Sequence, residues 1–198
     1  MSIRAFFAVD LAPRARRAAA VVAAELETGT VGVRWVREEA YHVTLRFLGQ
    51  VDSAAIPALT EAVACAVSDQ APFSVRQGAS RLFPGPRRPR AVVLDLEPEG
   101  PLRRLAAAVE TAVVGTGLPA EERPFRAHLT LGRIRGRERP VLPSIAASGV
   151  RLPVAEVVLF ESHLRRPGAR YIPLERIALG GSVSPDHPTR KGEEHGEE

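Results

Sequence analysis

Only one cysteine is present, Cys65, so no disulfide can form within the chain. It sits in "LTEAVACAVS", an apolar helical pattern that predicts a small buried hydrophobe. No apolar run approaches the roughly 18 residues a membrane span needs. The N-terminal "MSIRAFFAVDLAPRARR" lacks the order of a secretory leader, because its basic residues follow the short apolar stretch instead of preceding it. A cytoplasmic location is therefore expected. There is no Gly-rich phosphate loop and no nucleophile elbow. Lysine is almost absent too: Lys191 is the only one, and nearly all positive charge is arginine, whose planar fork matches phosphate oxygens. The net charge is +4 over 198 residues. The last 17 residues, "SVSPDHPTRKGEEHGEE", hold two basic and five acidic side chains, so the body is more basic than that net value. Such a body suits an anionic partner.

What is present reads as alternating strands and helices. Strand patterns occupy 3–11, 33–36, 41–49, 73–84, 91–98 and 125–135. Helical patterns fill the stretches after Pro13, after Asp52 or Ser53, and from Glu99 to Gly115 or Gly117. One helical turn is expected near 142–148. The segments 154–164 and 169–179 form a hairpin around "RRPG". Few helices and paired strands indicate an α+β fold rather than a doubly wound sheet. Residues 1–181 are expected to form one domain, and 182–198 a disordered acidic tail.

Two strands share a pattern. "YHVTLRFLG" and "AHLTLGRIR" both contain His-x-Thr-Leu, with the histidines 86 positions apart. A composition-shuffled chain should show that tetrad about 0.02 times, so a doubled copy is a strong signal. Strand side chains alternate faces. His42 and Thr44 therefore share one face, and His128 and Thr130 share one face of the other strand. Strict alternation adds Arg46 to the first pair.

Two imidazoles with two hydroxyls suit cleavage of a phosphodiester. One histidine deprotonates the nucleophile and the other protonates the leaving oxygen, since the free pKa of about 6.5 allows both roles. The hydroxyls can bind non-bridging oxygens, where charge accumulates. Two histidines are too few for a metal site, and no carboxylate or cysteine stands at ligand spacing near them. No cofactor is expected.

These residues resemble the two-histidine (2H) phosphoesterase superfamily, and within it the RNA 2′,3′-cyclic phosphodiesterases, also called 2′-5′ RNA ligases. The likeness runs from "FFAVDL" through "HVTLRFLG", "RLFPGPRRPRAVVLDL" and "PFRAHLTLGRIR" to "LFESHLRRPGARYIPL", about residues 3–179. It implies a bilobal fold: two pseudo-symmetric lobes of antiparallel sheet, helices on the outer faces and a central cleft. It further implies metal-independent hydrolysis of an RNA terminal 2′,3′-cyclic phosphate to a 2′-phosphate. Under it, His42 is the proton donor, His128 the proton acceptor, and Thr44 and Thr130 hold the phosphate. Arg133 matches a family arginine near the substrate. Strict alternation would turn Arg133 away from His128 unless the strand bulges near Gly132. Phe7 is a further candidate for substrate contact, and Trp35 for packing. One departure is that family members often carry Trp in the strand "AVVLDL", which has none here. The partners implied are RNA ends or small nucleotide cyclic phosphates, met by a monomer. The alternatives are 2′-5′ ligation of tRNA halves and a non-catalytic RNA-end-binding module.

Overall fold

A computed structural model describes residues 1–136, 140–165 and 168–180. The tail 182–198, expected to be disordered, lies outside the described residues, as do His187 and His195.

Among the described residues, nine strands and three α-helices follow the α+β expectation. In chain order they are β1 (Ser2–Asp10), α1 (Pro13–Gly29), β2 (Val33–Trp35), β3 (His42–Asp52), α2 (Ile56–Val67), β4 (Phe73–Phe83), β5 (Ala91–Glu97), α3 (Glu99–Gly115), β6 (His128–Ile134), β7 (Arg151–Val154), β8 (Glu156–Arg165) and β9 (Gly168–Ala178). Pro13 opens α1, where its missing N–H costs nothing. Asp52 accepts a hydrogen bond from the Ala54 amide at 3.1 Å and caps the short turn that leads into α2. Each helix buries one stripe: Ala15, Ala19, Val22 and Leu26 in α1, Leu59, Val63 and Val67 in α2, Leu102, Leu105, Val109 and Val113 in α3.

The strands form two antiparallel sheets. Sheet A has the order β3-β1-β8-β9, and sheet B the order β2-β6-β5-β4-β7. Helix α1 lies against β2 and β6, while α2 and α3 pack together and reach β9 and β3. One contiguous core joins the helices to one face of both sheets. The opposite faces form the cleft side where β3 approaches β6, and on sheet A that side holds a second, smaller buried cluster. The two sheets are pseudo-symmetric. β1 pairs with β3 as β5 pairs with β6, and a helix connects each pair.

The symmetry extends to a bulge. In β3, Ala8 faces Thr44 and Phe7 faces Arg46, so Leu45 is the extra residue. In β6, Val93 faces Thr130 and Val92 faces Gly132, so Leu131 is the extra residue. Each bulge falls just after the His-x-Thr and reverses the alternation beyond it. Gly132 consequently enters the core face, under β2. A Cβ there would stand 2.5 Å from Val33 Cγ1 and 3.1 Å from Trp35 Cε3. Trp35 is half-buried and packs against the main core.

Two sequence expectations are corrected. Residues 142–148 form no helical turn. Pro140 and Pro143 interrupt the segment, and its end is used by β4: the Gly149 amide donates to Gln77 O, and Val150 O accepts from the Gln77 amide. Cys65 is exposed, because α2 turns Leu59, Val63 and Val67 inward and leaves position 65 toward solvent.

Gly132→Ala should lower stability by about 2 kcal/mol through overpacking against Val33 and Trp35. Urea unfolding followed by Trp35 fluorescence measures it, and an unchanged midpoint would show that β2 is free to shift.

Candidate active site

Both histidines sit on the open faces, one per sheet. Each ring is held the same way. His42 Nδ1–H donates to Ala40 O at 2.9 Å, and His128 Nδ1–H donates to Arg126 O at 2.7 Å. In both cases the acceptor is the carbonyl two residues back, which leaves Nε2 as the nitrogen not bonded to the backbone. His42 Nε2 lies 3.0 Å from Thr44 Oγ1, within reach of its hydroxyl proton. Thr130 stands beside His128 on the same face, as Thr44 does beside His42.

The rings have different surroundings. His42 is packed among aromatics, with centroid distances of 4.8 Å to Phe6, 4.8 Å to Tyr171 and 6.4 Å to Phe160. His128 stacks on Phe83 at 4.3 Å with 21° between the planes. Burial drives both imidazoles toward the neutral form. His42 is lowered to about 4, chiefly by desolvation, with the Arg133 and His128 charges adding to the effect. His128 is lowered for the same first reason, with Arg81 and Arg133 adding. The Ala40 and Arg126 carbonyls oppose these shifts, and so do Asp10 and Asp95.

Those two carboxylates occupy matching places. Asp10 lies directly opposite His42, and Asp95 directly opposite His128. Arginines tie them down. Asp10 pairs with Arg16 at 2.5 Å and with Arg176 at 3.3 Å, and Asp95 pairs with Arg81 at 2.6 Å. Arg81 also lies over the Phe83 ring at 5.4 Å.

Arg133 falls on the open face of β6, opposite Ala91 and beyond the bulge. Its charge reaches both histidines. The structure thus brings His42, His128, Thr44, Thr130 and Arg133 to one cleft. Two other sequence candidates lie elsewhere. Arg46 is not a cleft residue. The bulge at Leu45 turns it to the helix side, where it is 8% exposed. There its guanidinium pairs with Glu110, lies 3.9 Å from Glu121, and donates to Phe47 O at 2.6 Å and to Pro119 O. Phe7 is also corrected. It is fully buried in the main core, and Phe6 lies on the cleft side of the sheet instead, in the small cluster with Ala8, Val158 and Phe160. Phe47, 5.6 Å from Phe6 and 46% exposed, is the residue that β3 presents where β6 presents Arg133.

Sequence reasoning missed Phe6, Phe83, Phe160, Tyr171, Asp10 and Asp95. Asp10 and Asp95 carried one usable signal, "AVD" and "VLD", an acid within or at the end of an apolar strand in each half. The cavity beside His42 has a volume of about 180 Å³ and is bounded by Tyr41, Phe160, Tyr171, Asp10 and Arg176. Among the described residues, no three His, Cys, Asp or Glu side chains cluster as metal ligands.

The family model described as LigT-like phosphoesterase matches two successive segments, 9–93 and 94–171. The chain belongs to this family. Its two segments each hold one His-x-Thr, in keeping with the paired architecture. Among curated proteins, the chain is 31% identical over 196 residues to the RNA 2′,3′-cyclic phosphodiesterase of Thermus thermophilus, covering 96% of this chain and 98% of that one. It is 30% identical to the Geobacillus stearothermophilus protein of the same name over 94% of this chain, but over only 60% of that protein's length. Among solved structures, Escherichia coli LigT complexed with 3′-AMP superposes with a TM-score of 0.77 at 28% identity, covering 91% of this chain and all of that one. No helix among the described residues is long and apolar enough to cross a membrane.

A depressed histidine pKa has a fixed sign in stability. The folded form prefers neutral His42, so the unfolded chain binds more protons between about 4 and 6.5. Unfolding free energy should fall on the order of 3 kcal/mol as pH drops across that window, with His128 adding in the same direction. Chemical denaturation across that pH range measures the slope, and His42→Phe should flatten it.

Proposed function

We propose that this LigT-like phosphoesterase hydrolyses RNA terminal 2′,3′-cyclic phosphates to 2′-phosphates, as a monomer, using its two histidines as acid and base. The observation that carries the reading is the matched pair of rings, each anchored through Nδ1 to the carbonyl two residues back, with Arg133 in electrostatic reach of both. The name of the relatives from Thermus and Geobacillus supports the substrate. Nucleotide complexes of Escherichia coli LigT support a nucleotide in the cleft.

The chemistry follows from the placement. A water attacks phosphorus while His128 Nε2 accepts its proton. The P–O3′ bond breaks, and His42 Nε2–H delivers a proton to the departing 3′ oxygen. The product carries a 2′-phosphate and a free 3′-hydroxyl, and each histidine ends in the other's starting state. Thr44, Thr130 and Arg133 supply donors for the non-bridging oxygens, where negative charge grows. His42 rests neutral in the empty cleft and must gain a proton to act. The phosphate anion provides the reason, since a negative charge beside a buried imidazole raises its pKa. The Asp10 carboxylate, already paired with two arginines, does so only weakly.

Two measurements test this. An oligoribonucleotide ending in 2′,3′-cyclic phosphate, incubated with chelator, should be opened by the wild type. His42→Ala and His128→Ala should each lose at least about a thousandfold in kcat. Turnover at the wild-type rate in either variant overturns the assignment. The pH profile gives a second check. The active form holds one proton on the pair, and both free-enzyme values lie below 6.5. Hence kcat/KM should fall about tenfold per pH unit above that point. The decline in kcat should begin at higher pH, because bound phosphate raises His42.

A further inference from the structure

The open faces of the two sheets differ in charge. On sheet A, Arg176 is matched by Asp10 and Glu156, and the rest of the floor is Phe6, Phe160 and Tyr171. Sheet B differs because of where β2 goes. It joins β6, which puts Arg34 directly opposite Arg133. Arg135, two residues farther along, continues the same face, and its amide bonds Gly32 O at 2.8 Å. All three side chains are exposed, and none makes an ion pair among the described residues. Like charges directly opposite each other on neighbouring strands destabilise a sheet. Here no described carboxylate offsets them, whereas Asp10 and Asp95 have arginine partners nearby.

We propose that Arg34 and Arg135 bind the backbone of the single-stranded RNA that leads into the cleft, the segment 5′ of the cyclic phosphate. This rests on reading the site as an RNA-end phosphodiesterase. Arg133 is the junction: it serves the reacting phosphate, and its cross-strand neighbour Arg34 meets the next. A mononucleotide has no phosphate to place beyond Arg133, so the patch selects for polymer. Another exit runs the other way across sheet B, over Arg76 and Arg151, which also face each other and border a cavity of about 560 Å³. Glu97 lies directly opposite Arg76 in that cavity and repels a phosphate, which favours the exit over β2.

The test uses the double variant Arg34→Gln/Arg135→Gln and oligoadenylates of one, two and four nucleotides. Binding is measured by calorimetry with 3′-phosphorylated oligomers over a range of salt, which needs no turnover. Rates are measured with the same lengths ending in 2′,3′-cyclic phosphate. The wild type should prefer the tetramer to the mononucleotide in both Kd and kcat/KM. In the double variant that ratio should drop about tenfold, and the slope of log Kd against log salt should become shallower by about 1.4, the value for two lost contacts to a single strand. Equal handling of monomer and tetramer by the wild type overturns the proposal. So does a variant that keeps the preference, or its loss in Arg76→Gln/Arg151→Gln instead. Length-dependent binding without any turnover would overturn the hydrolase reading and leave the strand path standing.

Discussion

The extra residue that follows each His-x-Thr, Leu45 in β3 and Leu131 in β6, decides which side chains face the cleft. Before each bulge the histidine and threonine face the cleft. After it the inward and outward positions exchange. In β6 that exchange turns Arg133 to the cleft and places Gly132 where only a hydrogen fits beneath Val33. In β3 the same exchange sends Arg46 inward. There it ties the strand bearing His42 to α3 and to the connection that delivers His128. The two arginines of the doubled motif region thus do opposite jobs for one geometrical reason. Arg46 holds the halves together, and Arg133 lies exposed on the cleft side.

The electrostatics of the cleft follow from the same architecture. Each histidine has a cross-strand carboxylate, and each carboxylate is held by arginine. That arrangement limits how strongly the acids can charge the imidazoles, so burial dominates and both rings rest neutral. The aromatic wall around His42 deepens the effect on its side. The lobes are alike in backbone and unlike in surface: aromatic floor on sheet A, arginine rim on sheet B.

The fold class and the paired histidines were legible because both rest on local rules. Periodicity marks strands and helices within a dozen residues, and His-x-Thr-Leu stands out by repetition. The errors arose where a rule depends on distant chain. Alternation placed Arg46 in the cleft, since nothing in "HVTLRFLG" announces a bulge. For Arg133, Gly132 did give the warning. Phe6 and Phe7 are indistinguishable until β1 is paired with β3. The pattern that marked α2 as amphipathic did not say that Cys65 lies on its wet side. "VRW" read as a strand, but no local feature tells it to cross from the neighbourhood of β3 to the edge of β6, where Arg34 acquires its meaning.

That crossing has a consequence for the molecule's history. Sheet A takes β1 and β3 from the first half of the chain and β8 and β9 from the second, while sheet B takes β2 and β4 from the first half. Neither half closes a sheet alone. A chain of half this length could satisfy the same pairings only by lending strands to a second copy across a two-fold axis. Its cleft would then have been a subunit interface, with one histidine from each copy. Within one chain the two walls can differ, whereas a symmetric pair of identical halves could not set an aromatic side against an arginine side.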